Sequence, residues 1–309
     1  MRIVFMGTPE FAVPSLNILA EAGYDIVAVI TAPDKPAGRG QKLSQTAVKQ
    51  YAIQHNLPIL QPEKLRSVQF LEHLQELRAD LQVVVAFRML PAAVFTLPPL
   101  GCVNVHASLL PNYRGAAPIN WAIMNGEKET GVTTFFIEQE IDAGNLIMQE
   151  KTPIGNEETA GQLHDRLMHI GARLLLKTVQ SIEAGNCPKI PQPEGNFLKA
   201  PKIFTETCRI HWSLPAVQVH NHIRGLSPYP AAFTHYQQQL LKIYRTQLTG
   251  IPTMGKAAGS VETDGKSFLH IACADSWIAA QELQLEGRKR LSVAEFLRGY
   301  PIVTGSWFN

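Results

Sequence analysis

The C-terminal third of the sequence has little negative charge. No acidic residue occurs between Glu206 and Glu262, although 26 acidic residues in 309 would place four to five in a span of that length. The cations within the span are Arg209, Arg224, Lys242, Arg245 and Lys256. Over residues 208–309, 10 lysines and arginines stand against 6 acidic residues, a net charge of +4. Two interpretations stay open: a chance feature of a glutamine-rich surface, or a face that binds a polyanion such as RNA.

Other absences exclude whole classes of protein. No apolar run approaches the roughly 18 to 20 residues that a membrane helix needs, and the first residues are interrupted too early for a secretory signal. The four cysteines are widely spaced with no C-x-x-C pair, so we interpret them as reduced thiols and expect no metal site on them. We therefore expect a cytoplasmic protein that does not associate with membranes. We also expect a monomer, although no feature of the sequence determines the oligomeric state. A dinucleotide fingerprint needs three glycines after the first strand, and only Gly7 is present.

Short β-rich runs alternate with helical patterns in the first half of the chain. Strands are predicted at 2–6, 24–30, 81–87, 102–108 and 131–138, and helices near 12–22, 44–55, 63–77, 118–125 and 159–184. Near-continuous Val/Ile runs of this kind are typical of a mostly parallel sheet with helices on both faces. A segment with four prolines (187–203) then indicates a linker, and a helix at 214–225 precedes alternating runs that indicate a small β-barrel. The predicted domains are 1–189 and 208–309, joined by a linker at 190–207.

The run "CVNVHAS" ends an apparent core strand on two polar side chains. Residues two apart on a strand share a face, so Asn104 and His106 should project together while Val103 and Val105 face the opposite layer. At the carboxyl end of a strand, that face opens into the crevice where α/β folds bind ligands. An amide can hold an oxyanion, and an imidazole can exchange a proton with the same centre. A buried core histidine is the competing interpretation.

A carboxylate follows the next predicted strand in "EQEIDAGNLI". Glu138, Glu140 and Asp142 alternate there, so the sequence alone does not separate a functional acid from a solvated edge. If Asp142 meets His106, it can fix the orientation of the imidazole and help to deprotonate an incoming amine.

Two further stretches have both a structural and a functional interpretation. The apolar "SLLP" (108–111) either packs ahead of a turn or lines a flat pocket for an aromatic ring system. The loop "APDKPAGRGQKL" (32–43) is either a solvated basic loop or an arm that closes on phosphate. Its positively charged residues are Lys35, Arg39 and Lys42, and Lys49 follows shortly after the loop.

Taken together, these segments resemble the methionyl-tRNA formyltransferase family. The resemblance is carried, in order and at family spacing, by "MGTPEFAVPSL", "APDKPAGRGQKL", "NVHASLLPNYRGAAPINWAIMNGE", "TGVTTFFIEQEIDAGNLI" and "GRKRLSVAEFLRG". The Asn-x-His-x-Ser-Leu-Leu-Pro and Asp-Ala-Gly elements are shared by folate-dependent formyltransferases generally. The basic loop and the C-terminal region narrow the resemblance to the tRNA-directed members. The implied fold is a Rossmann-like formyltransferase domain followed by an OB-like barrel.

The resemblance implies a reaction and a set of site residues. Such enzymes transfer a formyl group from 10-formyltetrahydrofolate to the α-amino group of methionyl initiator tRNA, through a tetrahedral intermediate without a covalent enzyme adduct and without a metal. Asn104 and His106 would hold the formyl oxygen, and Asp142 would orient His106. The implied folate contacts are Ser108, Leu109, Leu110, Pro111, Phe87 and Arg88. The implied tRNA contacts are Lys35, Arg39, Lys42, Arg209, Arg224, Lys242 and Arg245.

One departure and two alternatives accompany this resemblance. After "VVVA" the family usually has Tyr-Gly and two more residues before Leu-Pro, whereas this sequence has Phe87, Arg88 and Met89, a shorter turn without glycine. A formyltransferase for a nucleotide sugar or purine precursor would share the 104–142 core but would not need the basic regions. An RNA-binding module with a decayed site would not need Asn104, His106 and Asp142 together.

Overall fold

A computed structural model describes residues 1–37 and 42–309 of the chain, which form two compact units. The first unit comprises Met1–Gly115, Thr130–Thr152 and His164–Lys199. The second comprises Ala116–Glu129, Pro153–Leu163 and Ala200–Asn309. The domain boundaries expected from the sequence stay a prediction.

Strands and helices alternate through the first half of the chain, and strands dominate its last third. The strands are β1 (Arg2–Gly7), β2 (Asp25–Ile30), β3 (Lys35–Ala37), β4 (Lys42–Ser44), β5 (Ile59–Leu60), β6 (Leu81–Val85), β7 (Cys102–His106), β8 (Arg114–Gly115), β9 (Glu129–Phe136), β10 (Leu146–Pro153), β11 (Lys199–Ala200), β12 (Ala232–Tyr236), β13 (Gln239–Pro252), β14 (Val261–Thr263), β15 (Leu269–Ala272), β16 (Ser276–Leu285) and β17 (Leu291–Ser292). The helices are α1 (Val13–Glu21), α2 (Ala47–Gln54), α3 (Val68–Glu76), α4 (Ala92–Phe95), α5 (Pro118–Met124), α6 (Ala160–Glu183), α7 (Ala216–Leu226) and α8 (Val293–Gly299), with 3₁₀ turns at Glu10–Ala12 and Glu206–Cys208.

The main sheet has seven strands in the order β10-β9-β7-β6-β1-β2-β5. Strands β1, β2, β5, β6 and β7 pair in parallel, and β9 pairs antiparallel to β7. The apolar runs of β1, β2, β6 and β7 are largely buried, as expected for strands covered on both faces. The prediction of a mostly parallel α/β sheet is confirmed.

Strand β7 is positioned by a close helix contact on the face opposite the polar side chains. A Cβ on Gly171 of α6 would lie 3.1 Å from Cγ1 of Val105, so the glycine lets the helix approach the strand closely. Val105 is buried, whereas Asn104 is only partly buried. Alternation along β7 therefore points Asn104 and His106 away from the layer that Val105 packs against.

The second unit contains a six-stranded sheet in the order β12-β13-β16-β15-β14, with β17 beside β16. Neighbouring strands in it pair antiparallel. The core under it is built from one face of the strands and from α7 and α8, with Ile223, Ile243, Ile271 and Phe296 among its buried members. The prediction of a smaller β domain after the α/β sheet is confirmed.

Several elements were not predicted. Strand β10 carries the polar run "QEK", which masks its period, and α8 begins with a capping box in which Ser292 and Glu295 bind each other's backbone. The Ser-x-x-Glu spacing is a sequence signal for that helix start. In the described part of the chain, no helix is long and apolar enough to cross a membrane.

A buried histidine makes the stability of the second unit depend on pH. The ring of His220 lies 3.0 Å from Thr246 Oγ1 through Nδ1, and through Nε2 it lies 3.3 Å from the Asn156 carbonyl and 3.6 Å from Glu157. Burial lowers the pKa of His220, Glu157 opposes that shift and Arg224 adds to it. The folded unit therefore favours the neutral ring.

We expect stability to be lost on acidification. A histidine whose pKa is lowered in the folded state stabilises the protein above its unfolded pKa of about 6.5, and that contribution falls by up to about 1.4 kcal/mol per pH unit below it. Urea unfolding at pH 7.5 and pH 5.5 measures the loss. His220→Gln should show a smaller loss between the two pH values, and His235→Gln, at a less buried ring, should keep the wild-type difference. Equal pH dependence in wild type and His220→Gln would contradict the assignment.

Candidate active site

Two of the predicted catalytic side chains project from the end of β7. The Asn104 side chain is partly buried, and none of the described residues forms a hydrogen bond with it. His106 is 6% exposed and closes the strand. An amide with no partner among the described residues, beside a buried imidazole, can donate a hydrogen bond to a bound ligand.

The backbone fixes one nitrogen of His106. Its Nε2 lies 2.8 Å from the carbonyl oxygen of Tyr113, and because a carbonyl only accepts, Nε2 must carry the hydrogen. In the neutral ring Nδ1 is then an acceptor. Nδ1 lies 3.8 Å from Oδ2 of Asp142, within ion-pair distance but too long for a direct hydrogen bond. A proton arriving at Nδ1 would face a carboxylate.

The structure distinguishes Asp142 from its acidic neighbours. Its side chain is 14% exposed and accepts a hydrogen bond of 3.0 Å from the Gly115 N–H, in addition to facing His106. Glu138 and Glu140 are more exposed, and Glu140 lies 3.7 Å from the Arg114 guanidinium. Of the three alternating acids, Asp142 is the one that the fold brings to the imidazole.

The loop that carries Asp142 has two backbone constraints. Asp142 has φ +53°, a left-handed conformation that aspartate tolerates better than most residues. Two residues later, a Cβ on Gly144 would lie 1.8 Å from the Phe136 carbonyl oxygen, so a side chain cannot be accommodated there. The close approach therefore requires the glycine of Asp-Ala-Gly, and the left-handed φ is compatible with its aspartate.

Two polar side chains that the sequence did not indicate as functional form hydrogen bonds with the backbone of the 108–111 segment. Thr133, buried in β9, donates to the Ser108 carbonyl at 2.6 Å and accepts from the Leu110 N–H at 3.1 Å. Gln149 of β10 donates to the Leu110 carbonyl at 2.8 Å. The only sequence signal was a polar pair, "TT", within an apolar strand.

Only part of that segment reaches the surface. Ser108 is fully buried and donates to the Asn112 carbonyl at 2.7 Å, and Leu110 is 3% exposed and packs with Phe135. Leu109 and Pro111 are partly exposed. Ser108 and Leu110 therefore pack in the interior, and the lining of a ligand pocket by Leu109 and Pro111 stays a prediction.

Comparison with known proteins decides the family. The formyl transferase family model matches residues 1–179, and the formyl transferase C-terminal domain model matches residues 202–301. A methionyl-tRNA formyltransferase of Bacteroides fragilis is 52% identical over 97% of this chain and 95% of its own length. Another, of Bacteroides thetaiotaomicron, is 48% identical over 100% of this chain and 98% of its own.

The chain belongs to the methionyl-tRNA formyltransferase family. A solved N-formyltransferase from Helicobacter canadensis, in complex with folinic acid and dTDP-3-aminofucose, superimposes with a TM-score of 0.70. It is 23% identical and covers 90% of this chain and 98% of its own, so it supports the fold alone. The predicted membership of a formyltransferase family and the predicted enzyme class are confirmed.

The turn after β6 is where this methionyl-tRNA formyltransferase family member departs from the usual pattern. It contains a left-handed residue that is not glycine. Ala86, at the end of β6, has φ +48°, so the left-handed residue is an alanine. Phe87 is partly exposed, and the Arg88 guanidinium lies 5.5 Å from the centre of its ring. Arg88 also donates to the carbonyl oxygens of Pro62 and Glu63. Folate contact by Phe87 and Arg88 stays a prediction.

The basic residues predicted to contact tRNA are distributed over both units of the chain. Lys35 is exposed on β3, and both Arg39 and the side chain of Lys42 lie outside the described residues. Arg209 is bridged to Phe233, which pairs with Lys242, so these three lie in one cross-strand row.

Arg245 and Arg224 differ sharply in exposure. Arg245 is exposed on β13 opposite Glu282. The prediction for Arg224 was wrong: its side chain is 4% exposed, and its guanidinium donates to the carbonyls of Gly155 and Glu158. A buried charge requires hydrogen-bond partners, and these carbonyl groups supply them. Arg224 therefore has a structural role inside the second unit.

Proposed function

We propose that this enzyme transfers the formyl group of 10-formyltetrahydrofolate to the α-amino group of methionyl initiator tRNA. The observation that carries the proposal is 52% identity over 97% of the chain to a protein named for that activity. The position of Asn104 and His106 at the carboxyl end of β7, with Asp142 facing His106, supports it chemically. A cytoplasmic location is part of the same proposal.

The reaction makes one bond and breaks another. The amine nitrogen attacks the formyl carbon, the carbonyl oxygen becomes an oxyanion in a tetrahedral intermediate, and the bond between carbon and the folate nitrogen then breaks. The amine loses a proton and the leaving nitrogen gains one. The protein must therefore stabilise an oxyanion and move a proton, and no covalent adduct with the enzyme is required.

Asn104 is the better placed group for the oxyanion. Its amide has no hydrogen-bond partner among the described residues, so it can donate to a ligand without breaking a protein contact. His106 already donates through Nε2 to the Tyr113 carbonyl. It can donate to a formyl oxygen through Nδ1, and only when Nδ1 is protonated.

The pair of His106 and Asp142 suits the proton transfer. Nδ1 is the ring nitrogen with a free lone pair when the ring is neutral, and it faces the Asp142 carboxylate at 3.8 Å. A proton taken up at Nδ1 would face the Asp142 carboxylate, while Nε2 keeps its hydrogen bond to the Tyr113 carbonyl. We propose that the Asp142 carboxylate assists the proton transfer at Nδ1 and keeps the His106 ring oriented.

The donor and acceptor sides of the site follow from the remaining residues. Leu109, Pro111 and Phe87 offer partly exposed apolar surface that fits the flat ring system of a folate, which supplies the formyl group.

The residues proposed to meet the tRNA backbone are Arg209, Lys242, Arg245 and Lys35. The first three belong to residues 208–309, and the proposal agrees with the net charge of +4 over that range.

The deciding assay offers 10-formyltetrahydrofolate with three acceptors: charged initiator methionyl-tRNA, free methionine and a nucleotide-linked amino sugar. Formylation of the tRNA-linked methionine is expected. Formylation of the sugar or of free methionine, but not of the charged tRNA, would overturn the proposal.

A prediction about the 32–43 loop tests the tRNA side separately. Arg39→Ala should lower kcat/KM for charged tRNA by about 10-fold, the scale of one charge-assisted hydrogen bond to phosphate. The affinity for folate, measured in the absence of tRNA, should be unchanged because this loop is proposed to meet RNA. Loss of folate binding in Arg39→Ala would show that the loop belongs to the donor site.

A further inference from the structure

Residues 190–198, which the sequence predicts to be part of a linker, lie along the two loops that build the active site. Ile190 and Leu146 exchange backbone hydrogen bonds of 2.8 and 2.9 Å, at the end of the loop that carries Asp142. At the other end, the Leu198 carbonyl accepts from the Tyr113 N–H at 2.5 Å. Tyr113 is the residue whose own carbonyl holds His106.

Between these ends, the amide of Gln192 uses all of its hydrogen-bonding capacity. Its Nε2 donates to the carbonyl of Asp142 at 2.8 Å and to that of Gly144 at 2.9 Å. Its Oε1 accepts from Nε and Nη2 of Arg114 at 3.1 and 2.6 Å. A carbonyl only accepts and a guanidinium only donates, so the partners fix which end of the amide is nitrogen.

The Gln192 amide binds the loop at the two residues whose backbone conformation is constrained. Asp142 has a left-handed φ of +53°, and Gly144 is pressed against the Phe136 carbonyl. A non-glycine residue keeps a left-handed conformation only when its surroundings over-determine it. Gln192 supplies that restraint at the carbonyls of both residues and ties them to Arg114, the residue that follows Tyr113 in the chain.

We propose that Gln192 is a positioning residue for Asp142: it holds the carboxylate at its place beside His106 without touching substrate. The inference rests on the proposed function, because Asp142 matters only if its carboxylate takes part in formyl transfer. Gln192 acts on the geometry of Asp142, so its loss should affect turnover more than binding.

The test compares Gln192→Ala with Asn196→Ala in the full-length chain. Asn196 is an exposed amide of the same segment, and that variant should behave as wild type. Gln192→Ala should lower kcat by about 10- to 100-fold, the cost of a misplaced catalytic group. Its KM values for folate and charged tRNA should stay within about threefold, because no substrate-binding group is removed. The folded fraction, followed by circular dichroism, corrects each rate.

A second variant guards against a loss that is merely one of folding. Gln192→Glu keeps oxygen acceptors for Arg114 but cannot donate to the two carbonyls, so it should lose at least as much turnover as Gln192→Ala. Wild-type kcat in Gln192→Glu would overturn the inference, since the proposed contact would then be dispensable.

A double-mutant cycle separates positioning from a general structural effect. If Gln192 acts through Asp142, adding Gln192→Ala to Asp142→Asn should lower kcat by less than about twofold, because the group being positioned has already been disabled. The full 10- to 100-fold loss in that background would overturn the inference. An inactive wild type would refute the proposed function, whereas an active wild type with an equally active Gln192→Ala would refute only the role of Gln192.

Discussion

Replacing Asn104 with alanine is expected to lower kcat by about 100- to 1,000-fold, which corresponds to about 2.7 to 4 kcal/mol of transition-state stabilisation. The amide projects from the end of β7, partly buried, with no hydrogen-bond partner among the described residues. While its ring is neutral, His106 cannot substitute for the amide, because its one ring hydrogen, on Nε2, is directed at the Tyr113 carbonyl. Single-turnover formylation of charged initiator tRNA measures the effect, with folate and tRNA affinities expected to change little.

Two companion variants make the result specific to the amide N–H. Asn104→Asp keeps the size of the side chain but replaces the donor by an anionic acceptor, so it should be at least as slow as Asn104→Ala. Asn186→Ala, at an exposed asparagine beyond the end of α6, should keep wild-type turnover. A fast Asn104→Asp variant would mean that shape, rather than hydrogen-bond donation, is what the site requires of residue 104.

Local pattern was sufficient for the parts of the fold where one element decides. The Val/Ile runs predicted β1, β2, β6 and β7 to within one or two residues, because strands buried on both faces need continuous apolar sequence. The period of two along β7 predicted that Asn104 and His106 share a face. Both predictions depend on residues that are neighbours in the chain.

Features decided by distant contacts could not be predicted in this way. Nothing local separates Asp142 from Glu138 and Glu140; the fold does so by bringing the Gly115 N–H and His106 to it. Arg224 belongs to a basic stretch in sequence yet donates to carbonyls about 70 positions away, which buries it. Composition averages over such contacts, so it placed this arginine on the surface.

The same limit applies to the proline-rich segment. Its lack of periodicity predicts irregular structure, which the segment has outside β11, but a linker implies no contact with the site. Gln192 forms its four hydrogen bonds with residues some 50 and 78 positions away. The prolines on either side of Gln192 restrict the backbone, as prolines do in any extended linker. The sequence around Gln192 therefore gives no sign of these contacts.

Asp142→Asn should lower kcat by about 100- to 10,000-fold, the range that general acid-base catalysis covers. The amide oxygen of asparagine can still accept from the Gly115 N–H, and the backbone bonds from Gln192 are untouched. The variant therefore removes the negative charge near Nδ1 of His106 while the loop keeps its place. Single-turnover rates with saturating folate and charged tRNA measure the loss, and both affinities should stay near wild type.

Glu140→Gln is the matched control for that variant, since it removes a carboxylate charge from the same loop at an exposed position 3.7 Å from Arg114. It should keep turnover within about twofold of wild type, as an exposed charge contributes little. If Glu140→Gln were as slow as Asp142→Asn, the requirement would be for the net charge of the loop. A large loss confined to Asp142→Asn places the requirement at the one carboxylate that faces the imidazole, because the two variants change the loop's charge equally and differ only in which acid is removed.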